Sequence, residues 1–435
     1  KDIEYMNFMN DDSSLDTVFN NNSMDLELNI LNNSESILTA QAQANINLGL
    51  KDPEKIINQA TYNLSIVSKG LDISPIAAMN PEIQNLDGRL LADIKATGDG
   101  SKPNVSGSIQ LRDVELNVYS LRNSVKIPSA TLDLQGLYGI LEPVRIDTGG
   151  GEGTFEGRID FKTLEYTGKG VLSKMLFKSY PDDVTANLDG QIQVKGKFLN
   201  ALITGSVTAL DLYAIVPEKP VKYIEHITFT DDGGKERDEF IFTGEKPEDY
   251  YIEYISMNLA VDIPKDSWVK GSGANIEVSG KLDITKEYGH THVVTGNIDV
   301  VRGDYQFMGK LFSIQGGSVS FRGKEVINPF LDVHALYEVT SVEVFINITG
   351  TALEPRIQLS SDPPLDENEI VSYLVFVTSP EQLSSDERLL FQHKAGEFLG
   401  SMAVDEIRDM FGDQFALDVI TIKGGQAGFS DTHFE

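Results

Sequence analysis

The sequence predicts a mainly all-β chain, an elongated curled sheet with a short helical segment near the C-terminus. Three observations lead there. From about residue 23 to 360 the hydrophobic period is two, as where Met24, Leu26, Leu28 and Ile30 alternate with Asp25, Glu27 and Asn29. No segment before residue 360 carries a long helical period, so no helix is available there to cover the apolar face of such strands. With glycine-containing turn signals and a degenerate internal repeat, such a sheet must cover itself by closing into a barrel, packing as a sandwich or curling into a gutter; a sandwich needs compact blocks of about a hundred residues, whereas a gutter continues for as long as the repeats do.

The strands come first. Val342, Val344, Ile346 and Ile348 alternate with Glu343, Phe345, Asn347 and Thr349, late in the chain, in the same way as the early strand. Asp87-Gly88, Asp189-Gly190, Gly233-Gly234 and Gly316-Gly317 read as the turns between strands. Short helical turns are expected near residues 53–58 and 172–179. At roughly 10 to 13 residues per strand and turn, the chain supplies on the order of 25 to 30 strands.

The repeat comes next. Asn85-Leu86-Asp87-Gly88 returns as Asn187-Leu188-Asp189-Gly190, each after a proline-containing loop (Pro81, Pro181). Ser106-Gly107-Ser108-Ile109 rhymes with Thr204-Gly205-Ser206-Val207 and with Thr295-Gly296-Asn297-Ile298. Glu156-Gly157-Arg158-Ile159-Asp160-Phe161 rhymes with Ser279-Gly280-Lys281-Leu282-Asp283-Ile284. These phrases are the mark of duplication, in which each unit buries its apolar face against the next.

At residue 360 the composition changes. Ser361-Asp362-Pro363-Pro364-Leu365 ends the alternation, and Asp366 with Glu369 forms a helix N-terminal capping pair. Helices are expected over about 366–411, carried by Ile370, Tyr373, Leu374 and Phe376, then by Leu390, Ala395, Phe398 and Leu399. Terminal strands begin again at about 417–435.

Composition narrows the function. The net charge is −30, from 66 acidic and 36 basic residues. Nucleic-acid binding needs clustered lysine and arginine, and no cluster is present. The acidity suits a long sheet protein kept apart from its copies by repulsion. There is no cysteine, which excludes disulfides, thiolate metal sites and a cysteine nucleophile. His290 and His292 would share a strand face but lack a third ligand, so no metal and no cofactor is expected. The glycine run at 149–157 fails the dinucleotide pattern and reads as strand-turn-strand, and Asp231-Asp232-Gly233-Gly234 lacks calcium-loop spacing. A pair of glycosidase carboxylates needs no local motif and stays open, but no catalytic residue stands out and an enzyme is not expected. No apolar run approaches the roughly 18 residues of a membrane-spanning helix. The chain starts at Lys1 without a signal peptide, so it reads as a piece of a longer protein.

The segment from about His292 to Gly425 resembles the conserved C-terminal domain of the TamB family. The phrases that carry the resemblance are Thr295-Gly296-Asn297-Ile298, Gly303-Asp304-Tyr305, Gly316-Gly317-Ser318-Val319-Ser320-Phe321, Asn328-Pro329-Phe330-Leu331-Asp332-Val333 and Gly350-Thr351-Ala352-Leu353-Glu354-Pro355. The most specific is Leu359-Ser360-Ser361-Asp362-Pro363-Pro364-Leu365 followed by Glu369-Ile370-Val371-Ser372-Tyr373-Leu374. Val377 departs from the glycine usual in the family. The motif residues are therefore Asp362, Pro363, Pro364, Leu365, Tyr373 and Leu374. Residues 1–290 look like the AsmA-type repeats of the same superfamily, which divides the chain into a repeat part, 1–290, and a conserved C-terminal part, 291–435.

The resemblance implies a tapered, curled sheet with an apolar trough, sited in the periplasm of a diderm bacterium. It also implies an inner-membrane anchor outside this segment and an outer-membrane barrel partner, TamA, of the BamA type. The function that follows is non-enzymatic carriage of phospholipid acyl chains along the trough, between inner and outer membrane. Candidate groove residues are Ile298, Val300, Val319, Phe321, Val344 and Ile346, the inward positions of alternating strands; the alternative is that they pack on each other as an ordinary core. A second reading is a scaffold for outer-membrane protein or autotransporter assembly, by strand addition at an open sheet edge. A third is a β-helical adhesin or polysaccharide enzyme.

Overall fold

A computed structural model describes residues 12–46, 60–215 and 254–376, with breaks at 21, 33–34, 80–82, 100–101, 180–183, 308, 325–327 and 340–341. It also holds three isolated strand pairs, Glu4–Tyr5 with Phe8–Met9, Thr228–Thr230 with Glu236–Asp238, and Ile422–Lys423 with His433–Phe434.

Alternation dictates strands, and nineteen of them form one sheet. The first six are β1 (Asp12–Asn20), β2 (Ser23–Asn32), β3 (Glu35–Asn45), β4 (Thr61–Asp72), β5 (Ile83–Asp99) and β6 (Lys102–Val118). The next six are β7 (Val125–Gln135), β8 (Tyr138–Ile146), β9 (Glu152–Asp160), β10 (Glu165–Lys178), β11 (Val184–Lys197) and β12 (Asn200–Ile215). The last seven are β13 (Ile255–Gly271), β14 (Ala274–Lys286), β15 (His292–Phe307), β16 (Lys310–Arg322), β17 (Phe330–Val339), β18 (Val342–Thr351) and β19 (Pro355–Asp362). Each strand pairs with its sequence neighbours. Every ladder is antiparallel except β12 with β13, which run parallel. The order can be written as a ring, but no register joins β19 to β1 among the described residues, and the sheet is open. At about 4.8 Å per strand its long axis is on the order of 85 Å.

Counting the three isolated pairs, the described residues hold 25 strands, the low end of the 25 to 30 expected, and the nineteen of the sheet run long, reaching 17 residues and passing through their glycines. Asp87-Gly88, Asp189-Gly190 and Gly316-Gly317 are not turns; they lie inside β5, β11 and β16. Gly233-Gly234 lies outside the described residues. Residues 172–178 are strand in β10 instead of a helical turn, and residues 53–58 lie outside the described residues.

The repeat has a geometric cause. Gly107, Gly205 and Gly296 occupy equivalent places in the three rhyming phrases, with φ of 119°, 156° and 122°. A Cβ at each would run into a carbonyl oxygen of the neighbouring strand, that of Asp93, Gln191 or Lys281. Only glycine lets the two backbones approach there.

The largest buried core lies at the C-terminal end. Phe312, Ile314, Ala335, Tyr337, Val342, Val344 and Ile346 pack with Ile276, Val278 and Val300. One helix, α1 (Glu367–Phe376), closes over them, with Ile370, Val371 and Leu374 at most 2% exposed. Its start is the expected capping box: the Glu369 backbone N–H donates to Asp366 Oδ1 at 2.9 Å, and the Asp366 N–H donates to Glu369 Oε2 at 3.1 Å. The helix expected beyond residue 376, through 411, lies outside the described residues, as do the strands expected at 417–435 apart from the short pair above. A smaller cluster, Ile73, Leu86 and Val114, sits under a 3-10 turn at Ser74–Met79. Among the described residues no helix is long and apolar enough to cross a membrane.

Candidate functional site: an apolar trough

Pairing partners in a ladder share a sheet face, so register converts alternation into rows. One row runs from Leu15 through Leu28, Ala40, Ile66 and Ile94 to Gly107. It continues through Leu134, Gly139, Ile159 and Tyr166 to Gly196, Ala201 and Ile255. A second row takes over in the middle strands: Phe155, Gly170, Ile192, Gly205, Leu259, Ile284 and Val294. At the C-terminal end the rows are Ile298, Val319 and Leu331, then Val333, Ile348 and Ile357, then Ala335, Ile346 and Leu359. The inner face is therefore apolar from the first strand to the last.

Burial divides this face. Phe155, Ile192, Leu259 and Ile284 are only half-buried, whereas their outward neighbours Gln191, Gln193 and Asp283 are exposed. Nothing among the described residues packs over these middle rows to form a buried core. At β1 the face opens further: Leu15 is 61% and Phe19 47% exposed. At the other end α1 seals it, and Val344 is 0% exposed. Among the described residues the inner face is thus a trough, open at the N-terminal mouth and along its middle and stoppered by a helix at the C-terminal end.

All six groove residues named from the sequence lie on this face. Ile298 and Val319 are half-buried and pack against the edge of the C-terminal core. Phe321 is half-buried and pairs with Gly296. Val300, Val344 and Ile346 are inside the sealed core, in one cluster with Ile370 and Leu374. Of the motif residues, Asp362 ends β19, Leu365 and Tyr373 pack against that core, and Leu374 is fully buried in it. Ser361 Oγ donates to the Pro363 carbonyl at 2.9 Å and accepts from the Leu365 N–H at 3.0 Å, which folds the proline segment so that α1 turns back onto the sheet.

The middle rows, Phe155, Ile192 and Leu259, were not singled out from the sequence. Their signal is the same alternation, but only register joins it into one wall.

One polar feature props the wall from outside. β13 bulges between Ile263 and Ser267. Glu277 reaches into the bulge, its carboxylate accepting from Arg302 Nε at 2.6 Å and from the Asp266 backbone N–H at 3.0 Å. The Arg302 hydrogen bond, with that of Asp266, holds the Glu277 carboxyl below its ordinary range. Among the described residues no group of three or more His, Asp or Glu side chains is placed to hold a metal.

The family model described as TamB C-terminal domain matches residues 144–432. The match starts within β8 and takes in the middle rows, the parallel seam, the sealed core and α1.

Proposed function

The chain belongs to the TamB family of cell-envelope proteins, and from that premise we propose that its trough carries phospholipid acyl chains across the periplasm between inner and outer membrane. The observation that carries this reading is the continuous apolar inner face with its half-exposed middle rows. An exposed hydrocarbon chain of sixteen carbons costs on the order of 12 kcal/mol in water, at about 0.8 kcal/mol per CH₂. A wall of Phe155, Ile192, Leu259 and Ile284 removes most of that cost while head groups stay in solvent. No reaction is required, and the protein acts as a surface, not as an enzyme. Ile298, Val319 and Phe321 continue the wall toward the stoppered end; Val300, Val344 and Ile346 lie beneath the stopper and meet lipid only if α1 withdraws. The inner-membrane anchor and the barrel partner of the TamA type belong to the same proposal.

A second reading rests on the edge of β19. Among the described residues no ladder occupies that edge, and an exposed edge accepts an added strand from a barrel partner or its client. The two readings are compatible.

The test is lipid extraction and mass spectrometry of the purified chain, against a soluble control of similar size. Phospholipid near or above one molecule per chain supports carriage. A monodisperse, lipid-free chain that stays lipid-free after incubation with vesicles refutes it and leaves the scaffold.

A further inference from the structure

Hairpin tips in this sheet should be polar, because they face water and turn sharply. On the rim that carries the turn after β8 the rule holds: there Asp147 Oδ1 accepts from the Gly149 N–H at 2.8 Å. The opposite rim breaks the rule at two successive tips. Between β9 and β10 stand Phe161 and Leu164; between β11 and β12 stand Phe198 and Leu199. Phe198 is 69% exposed, Leu199 58%, Leu164 41% and Phe161 37%.

Exposure is only half of the anomaly. Leu164 and Phe198 also sit in the left-handed region, at φ 58° and 54°. Glycine or asparagine adopts that conformation with little strain, and a bulky side chain does not. The two positions touch: the Phe198 N–H donates to the Leu164 carbonyl at 2.9 Å, one step beyond the last pair of the β10–β11 ladder, Glu165 with Lys197. Two apolar residues are thus kept, side by side, where neither folding nor solubility favours them. Backbone strain retained at one spot is a mark of function.

What the tips would meet follows from the wall they adjoin. A Cβ built on Gly139 would lie 3.0 Å from the Phe161 ring, beside Ile159 and Leu132, so Phe161 packs on the trough lining. Tyr166, of the long inner row, donates its hydroxyl to the Asn200 carbonyl at 3.0 Å, at the base of the second tip. Both tips therefore adjoin the inner row where it reaches the rim. Charges of both signs flank them, Asp160 and Lys162 at one tip, and Lys197 paired with Glu165 at 3.6 Å across the two. A lip that is apolar at its crest and mixed in charge at its flanks matches a two-tailed phospholipid with a zwitterionic head.

We propose that Phe161, Leu164, Phe198 and Leu199 form the lateral entry at which phospholipid acyl chains cross the rim into the trough. The inference rests on the carriage reading above and adds the place and the residues of loading.

The test uses the whole chain and the double variant Leu164→Asn with Phe198→Gly, whose new residues suit the left-handed backbone. Vesicles of phosphatidylethanolamine with a minor fraction of phosphatidylglycerol carry a trace of fluorescent phosphatidylethanolamine, and loading is followed in time and at its end point. The variant should melt at or above the wild-type temperature, load about tenfold more slowly, and reach the same final lipid content. Phe198→Leu should load at the wild-type rate. A double variant that loads as fast as wild type overturns the lateral entry while leaving carriage standing. A wild-type chain that never loads overturns carriage itself, and the entry with it. A wild-type dimer that the double variant converts to monomer, with loading unchanged, assigns the lip to self-association instead.

Discussion

Leu259 offers the sharpest test of an open trough against an ordinary core. It lies in the middle row, between Gly205 of β12 and Ile284 of β14, and is half-buried with no covering element among the described residues. In Leu259→Glu the carboxylate can reach water through the open side, so the folding cost is confined to lost apolar contact, about 1 kcal/mol. Its cost to bound hydrocarbon is larger. If the charge denies the wall to about four methylenes at about 0.8 kcal/mol each, affinity falls by about 3 kcal/mol, roughly a hundredfold. Val344→Glu is the counterpart: Val344 is 0% exposed beneath α1, and an unpaired carboxylate there costs on the order of 5 kcal/mol of stability. Urea midpoints and phospholipid per mole of purified chain are measured on both. The expected pattern is a near-normal midpoint with lost lipid for Leu259→Glu, and a collapsed midpoint for Val344→Glu. Equal and severe unfolding in both would refute the reasoning, because it would mean that the middle rows are packed as tightly as the end.

Further outcomes follow from the same contacts. Leu374→Ala should remove about 2–5 kcal/mol, read from urea unfolding, because the residue is 0% exposed in the sealed core. Asp366→Ala should cost about 1 kcal/mol by the same measurement, since it deletes the side chain that accepts from the Glu369 N–H. Gly296→Ala should destabilise the sheet and lower the melting temperature, because its Cβ would collide with the Lys281 carbonyl at φ 122°. Glu277 titrates below its ordinary range in the fold, so its contribution is complete above the unfolded carboxyl range and is lost as pH falls through the lower folded value. Glu277→Gln should therefore flatten part of the acid limb of a stability–pH curve; an unchanged limb would remove Glu277 from the account.

How much of this was legible depends on the range of the cause. The alternation at Val342 to Ile348 was readable because one side of β18 is sealed while Phe345, on the other, is 37% exposed. The Asp366 and Glu369 cap was readable because both hydrogen bonds close within three residues. Asp87-Gly88 misled because the same residue types serve a tight turn and a strand irregularity; the register between β5 and β6 slips at Asp87 and Arg89 without the chain reversing. Ile192 and Val344 look alike in sequence, each an aliphatic residue between polar or outward ones. Only the later arrival of α1 makes one half-buried and the other fully buried, and no local pattern carries that information.

Continuity of the trough turns on the one parallel ladder among the described residues. All other neighbours are joined in antiparallel order, so their registers are tied to the turns between them. β12 and β13 have no such constraint, because the chain between them runs from residue 216 to 254. Their register must be set by the side chains themselves. It brings Ile203 beside Met257, Gly205 beside Leu259 and Val207 beside Val261, apolar with apolar, and Ser206 beside Ala260 on the other face. A slip by one residue would set Asn258 in the wall opposite Ile203 or Gly205 and turn the whole lining of β13 outward. The Val207 to Val261 pairing is thus what keeps the apolar face continuous from the antiparallel run β1–β12 to the strands that end beneath α1. The family match, residues 144–432, spans this seam and both sides of it, so the junction lies inside the matched unit together with the motif at Asp362 to Leu374.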